Sequence, residues 1–166
     1  MKKGDIVFTA PNTIMFKLIR WWTKDQYGHV ALCVGHIGKE PIIIEATARG
    51  IDVNAFKWRS QIEEPYAIYR IPKLSEKKAK VLASKSMEFV GSGYDFKTLL
   101  NFIYKKPKYK NDKKFICSEL IFRILVSLKY LEADVEKPEM VSPVKLREIL
   151  EEYKVAKCIK KVNYDE

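Results

Sequence analysis

Long apolar runs are missing from this chain. None reaches the roughly 18 residues that cross a bilayer, which leaves out a protein built on membrane-spanning helices. The N-terminus, Met1-Lys2-Lys3-Gly4-Asp5, has the charge of a signal peptide but no apolar segment of the required length behind it. As it stands, and setting aside any leader removed before Met1, the sequence reads as cytoplasmic. Cysteine is scarce and odd in number. Cys33, Cys117 and Cys158 are the three, widely spaced, which argues against a disulfide framework. Two histidines without close Cys/His spacing leave little for a structural zinc site. Repeats, low-complexity tracts and interdomain linkers are absent, so the 166 residues read as one domain over 1–166. Acidic charge is the minority sign. The formal net charge of +10 implies attraction to something anionic, whether nucleic acid, acidic lipid or an anionic cell-wall polymer.

What is present alternates between short strands and helices. Gly4-Asp5 turns into Ile6-Val7-Phe8, a short buried strand broken by Pro11-Asn12. Thr13 caps a helix with Ile14, Met15, Leu18, Ile19 and Trp22 along one side, read first as core packing. The same Trp- and Lys-bearing helix also suits a membrane surface. Tyr27 to Gly35 is an apolar run bounded by glycines, hence a buried strand, and His29 stands at its start. Pro41 to Thr47 is a second strand, and Gly38-Lys39-Glu40 is short enough to close a hairpin. Glu45 interrupts that second strand, which is costly for a carboxylate unless it has a partner. Ile51-Asp52-Val53 and Tyr66 to Ile71 read as further strands. Ser75 caps a helix over Glu76 to Val90 with Ala79, Leu82, Ala83, Met87 and Val90 inward. A short helix is expected around Leu99 to Ile103, then a solvated basic loop with six lysines between Lys105 and Lys114. A last helix starts at Ser142-Pro143, and Val155 to Ile159 reads as a final strand. The order predicts an α+β fold, an antiparallel sheet with helices grouped on one side.

The stretch Phe115-Ile116-Cys117-Ser118-Glu119-Leu120-Ile121 opens a helix abruptly after the basic segment. Cys117, Leu120, Ile121, Ile124, Leu125 and Leu128 share one face. Helix-start amides carry partial positive charge and favour a thiolate, which is the nucleophilic form. By itself the stretch leaves two readings open, a nucleophile or a small buried apolar residue. With His29 and Glu45, however, Cys117 completes the set a cysteine hydrolase needs: a thiolate, an imidazole to hold its proton and a polar group to orient the imidazole.

Gly4-Asp5-Ile6-Val7-Phe8, Gly28-His29-Val30, Ile44-Glu45-Ala46, Tyr94-Asp95 and Cys117-Ser118-Glu119-Leu120, in that order, resemble the YiiX-like proteins. These are circularly permuted NlpC-type, papain-like cysteine peptidases, in which the histidine precedes the cysteine. The resemblance runs from Gly4 to about Val126. It implies a permuted papain-like fold with Cys117 as nucleophile, His29 as general base and Glu45 as the residue that orients it. Tyr94 would sit beside the site on the substrate side.

The expected function is therefore a thiol hydrolase of amide bonds, in a short peptide or cell-wall-type peptide, needing no cofactor or metal. A second reading keeps the fold and changes the substrate to an acyl one, as in the lecithin:retinol acyltransferase group. The charge, Trp21, Trp22 and the basic loop would then meet an anionic membrane surface. Glu45 fits the YiiX-like pattern better than the histidine usual there in the acyltransferases. The third reading is a non-catalytic basic binding module. For nucleic acid the chain lacks a helix-turn-helix, a zinc finger and an aromatic RNA-binding motif, which makes this the least favoured.

Overall fold

The computed structural model describes residues 1–56, 65–95 and 113–163. Strands β1 (Ile6–Thr9), β2 (His29–Ile37), β3 (Glu40–Thr47), β4 (Gly50–Ala55) and β5 (Tyr66–Arg70) join the C-terminal Lys157–Val162 in one six-stranded sheet. A two-residue pair, β6 (Gly93–Tyr94) and β7 (Lys114–Phe115), is parallel and separate. With Lys157–Val162 numbered β8, the main sheet runs β4-β3-β2-β1-β5-β8, and each neighbouring pair is antiparallel. The helices are α1 (Ile14–Thr23), α2 (Glu76–Met87), α3 (Cys117–Ser127) and α4 (Pro143–Glu152). The expected α+β class is the class observed.

Both faces of the central strands are buried, which is why β2 reads as a continuous apolar run instead of an alternating one. Val30, Leu32 and Val34 belong to the larger core cluster, together with Ile44 and Ala46 of β3. Ala31 and Ile43 point the other way, into a smaller cluster with Val7, Phe56 and Ile68. Helices α2 and α3 both pack on β2. Around α3, Leu120, Ile121, Phe122 and Ile124 are fully buried, each contributing about 1.5–3 kcal/mol of apolar transfer.

Polar anchors set the strand ends. Asp5 is buried and takes two hydrogen bonds from Arg70 of β5, at 2.8 and 2.7 Å, which ties the start of β1 to its neighbour. Gly50 sits at φ +121°, and a Cβ there would fall 2.6 Å from the Ser92 carbonyl. Glycine thus lets residues 91–92 dock on β4, where Ile51 donates to Ser92 and Gly91 donates back to Ile51.

Several expectations are corrected. In α1 Ile19 is buried and Trp22 packs against the core as expected, Phe16 joins them, and Ile14 and Leu18 face solvent instead. Periodicity identified an amphipathic helix and only part of the side that packs. Helix α2 stops at Met87, so Met87 and Val90 are exposed, and Ser86 is buried with its hydroxyl donating to the Leu82 carbonyl at 2.7 Å. The last strand starts later than expected, at Lys157. The helix expected around Leu99 to Ile103, and Lys105, Lys106, Lys108 and Lys110 of the basic loop, lie outside the described residues. Lys113 and Lys114 are described, and both are exposed.

Candidate active site

Helix α3 begins at Cys117, as the sequence predicts, and its start is locked from two sides. The Glu119 carboxylate accepts from the Ile116 backbone N–H, the return half of a capping box. Arg123 donates to Glu119 at 2.9 Å one turn on and lies over the Phe115 ring. The Ser118 hydroxyl donates to the Val141 carbonyl at 2.6 Å, pinning the first turn to the segment before α4. The Cys117 thiol thereby has a fixed position. It is 2% exposed.

The hairpin of β2 and β3 brings His29 and Glu45 together. Register pairs Ala31 with Glu45, so His29 lies one diagonal step away on the same sheet face. Nε2 of His29 and Oε2 of Glu45 are 2.6 Å apart, with both side chains fully or almost fully buried. This contact is the partner that a carboxylate in an apolar strand requires. Nδ1 of His29 is buried with no hydrogen-bond partner among the described residues, and Cys117 acts on the ring together with Glu45. The carboxylate occupies Nε2, which leaves Nδ1 as the nitrogen open to a second group.

Electrostatics follow from that order. Burial alone pulls the His29 pKa down, but the negative charges of Cys117 and Glu45 outweigh it and the ring is pushed up to about 9. Burial alone would push the Cys117 thiol up. The His29 charge reverses this, helped by backbone N–H groups of Val30 and Ser118, and the thiol pKa falls below its ordinary value. The arrangement favours a thiolate–imidazolium pair, the state in which a cysteine attacks carbonyl carbon.

Three neighbours escaped the sequence reading. Asn54 of β4 donates from Nδ2 to Oε1 of Glu45 at 3.0 Å, which holds the carboxylate edge that His29 does not use. Phe16 of α1 packs on His29, ring centroids 4.9 Å apart. Gly28 makes that approach feasible, since a Cβ there would meet the Phe16 carbonyl at 2.9 Å. The third is the Val30 N–H on the sulfur. Asn54 had one legible signal, its place two residues beyond Asp52 on the strand next to Glu45. The others depend on how α1 and α3 approach the sheet. Tyr94, buried in β6, lies close enough for the Cys117 charge to act on it; burial first, and then that charge, push its phenol well above the usual range.

Comparison with known proteins gives a consistent outcome. Residues 1–156 match the family described as permuted papain-like amidase enzymes, YaeF/YiiX. The probable lipoprotein peptidase YaeF of Escherichia coli (strain K12) is 23% identical over 103 residues. Those residues are 62% of this chain and 36% of YaeF, so the chain spans about a third of that relative. The solved structure of the metalloprotein yiiX from Escherichia coli O157:H7 superposes with a TM-score of 0.74 at 19% identity, covering 97% of each chain. Among the residues described here, no group of three His, Cys, Asp or Glu side chains is placed to hold a metal ion.

Proposed function

Because the chain belongs to the permuted papain-like amidase family of YaeF and YiiX, we propose that it is a cysteine hydrolase that cleaves an amide bond in a short peptide or cell-wall-type peptide. One observation carries the reading: Glu45 holds Nε2 of His29 at 2.6 Å, while His29 and Cys117 lie close enough to shift each other's pKa, the ring upward and the thiol downward. In this mechanism the Cys117 thiolate attacks the amide carbonyl and a C–S bond forms. The oxyanion meets the amides at the start of α3, to which the N-cap residue Ile116 offers no side-chain acceptor. Nδ1–H of His29 gives its proton to the leaving nitrogen as the C–N bond breaks. Water then attacks the thioester while His29 takes its proton, and the thiolate departs with the acid product released. Glu45 keeps the imidazole oriented and stabilises its charged form. Tyr94 bounds the substrate side of the thiol.

The domain acting here is the whole of 1–166, and its place is the cytoplasm, a setting that suits three free cysteines. No described helix is long and apolar enough to cross a membrane. The charge of +10 suits an anionic polymer or membrane surface as the setting of the substrate. Hydrolysis of matched peptide amides and acyl esters by the chain, with Cys117→Ala as control, tests the reading. Amide turnover that disappears with the thiol supports it. Turnover of acyl esters alone transfers the same thiolate to lipid chemistry. Activity that survives Cys117→Ala removes the site.

A further inference from the structure

The outward face of α1 exposes large apolar side chains along one stripe. Ile14, Leu18 and Trp21 follow at offsets 0, 4 and 7, one stripe of the helix, and are 82%, 48% and 76% exposed. Lys17 falls within the same stripe, and Lys24 caps the helix end; both are exposed. The charged residues of the helix have one sign, and Asp25, next after Lys24, is nearly buried against Arg147. Every charged residue from Ile6 to Lys24 is basic: Lys17, Arg20 and Lys24. Three large apolar side chains in water are not explained by folding, because Phe16 and Ile19 are the buried side of the helix and Trp22 is its contact with the core cluster.

We infer that this face of α1 docks on an anionic phospholipid bilayer, lying in the headgroup layer with Ile14, Leu18 and Trp21 inserted and the lysines on lipid phosphates. Trp suits that layer because its ring is apolar and its N–H is polar. Lysine stems cover apolar surface while their ammonium groups reach outward to phosphate. A second copy of the chain fits the face less well, since it would bring Lys17 and Lys24 against their own kind. The helix also faces the catalytic group, because Phe16, on its inner side, packs on His29. A chain seated in this way holds its site beside the headgroups, where a membrane-attached substrate would be met.

Co-sedimentation of the full chain with phosphatidylglycerol-rich vesicles and with pure phosphatidylcholine vesicles tests this. It needs no turnover, so its failure leaves the amidase reading untouched, and failed hydrolysis leaves this inference untouched. Binding to the anionic vesicles should exceed binding to the neutral ones by about tenfold or more and weaken with salt. Replacing Ile14, Leu18 and Trp21 together by Ser should lower the partition about tenfold or more without lowering the melting temperature, since none of the three packs in the core. Lys17→Gln with Lys24→Gln should lower it by roughly fivefold per lysine. The inference is overturned if the parent chain stays in the supernatant, or if the triple variant pellets as the parent does. It is equally overturned if sedimentation velocity shows a dimer that the triple variant dissolves, which would assign the face to a second copy.

Discussion

Cys33 and Cys117 are both free and both buried, at 0% and 2% exposure, yet the protein pushes their thiols in opposite directions. At Cys33, burial raises the pKa and nothing nearby reverses it. At Cys117, burial acts in the same sense, but the imidazolium of His29 and two backbone N–H groups prevail. Cys33 sits mid-strand, with its thiol donating to the Gly35 carbonyl at 3.5 Å, and the lowering influences of the Gly35 backbone, Lys3 and the N-terminus do not offset its burial. Cys117 sits at a helix start with donors directed at it. Burial alone therefore does not mark an inert cysteine; what decides is the sign of the groups buried with it.

The largest expected effect separates the two cysteines by activity. Cys117→Ala should lower turnover of an amide substrate on the order of 10⁴-fold or more. Cys33→Ala should leave turnover within about twofold and instead cost about 1–2 kcal/mol of stability by chemical denaturation. Comparable losses of activity in both variants would erase the contrast.

Removing the cation should make Cys117 resemble Cys33. In His29→Ala, brief iodoacetamide labelling at a pH of about 6 should slow about tenfold or more, because an ordinary thiol is almost fully protonated there. Peptide mapping reads all three cysteines at once. Cys117 should be labelled first in the parent chain, and labelling of Cys33 or exposed Cys158 ahead of it would sink the proposed pair.

Glu45 should come next. Glu45→Ala is expected to cut turnover roughly 100-fold, and Glu45→Gln less, because an amide oxygen still accepts from imidazole. Asn54→Ala should cost about threefold to tenfold, as the carboxylate loses its second anchor while His29 keeps its first. If Asn54→Ala equals Glu45→Ala, Asn54 does more than hold the carboxylate.

The pH profile sharpens the same contrast. The His29 pKa is raised in the fold, so the stability from its charge is complete below its ordinary value near 6.5 and is lost as pH rises through about 9. The Cys117 pKa is lowered, so its contribution is present above the ordinary thiol value and is lost as pH falls through the lowered one. Turnover should therefore be bell-shaped, falling on the basic side near pH 9 as the imidazolium proton needed by the leaving amine is lost. A single rise centred near the ordinary thiol value of about 8.5 would mean that no ion pair forms.

Much of this was readable along the chain because it is local. A short apolar run bounded by glycines and carrying β-branched valines reads as a buried strand, so β2 and its opening His29 were legible. So was the helix start at Cys117, where polar residues give way at once to a 3.6-residue apolar period. Glu45 stood out because a carboxylate inside a strand needs a partner. The order of histidine before cysteine carried the resemblance to permuted papain-like proteins.

Tertiary structure alone decided the rest. The Asn54 bond to Glu45 depends on the register between β3 and β4, and a one-residue slip would turn Asn54 to the other face. Asp5 finds Arg70 across 65 positions, and the Val30 N–H reaches a sulfur from a helix 87 residues later in the chain. In α1, the amphipathic period was visible but its inward side only in part: Ile19 and Trp22 pack inward as read, Phe16 joins them, and Ile14 and Leu18 stand outside with Trp21. A periodicity records that a helix has two faces. Which face meets the core is set by the sheet it lands on, and no local pattern contains that surface.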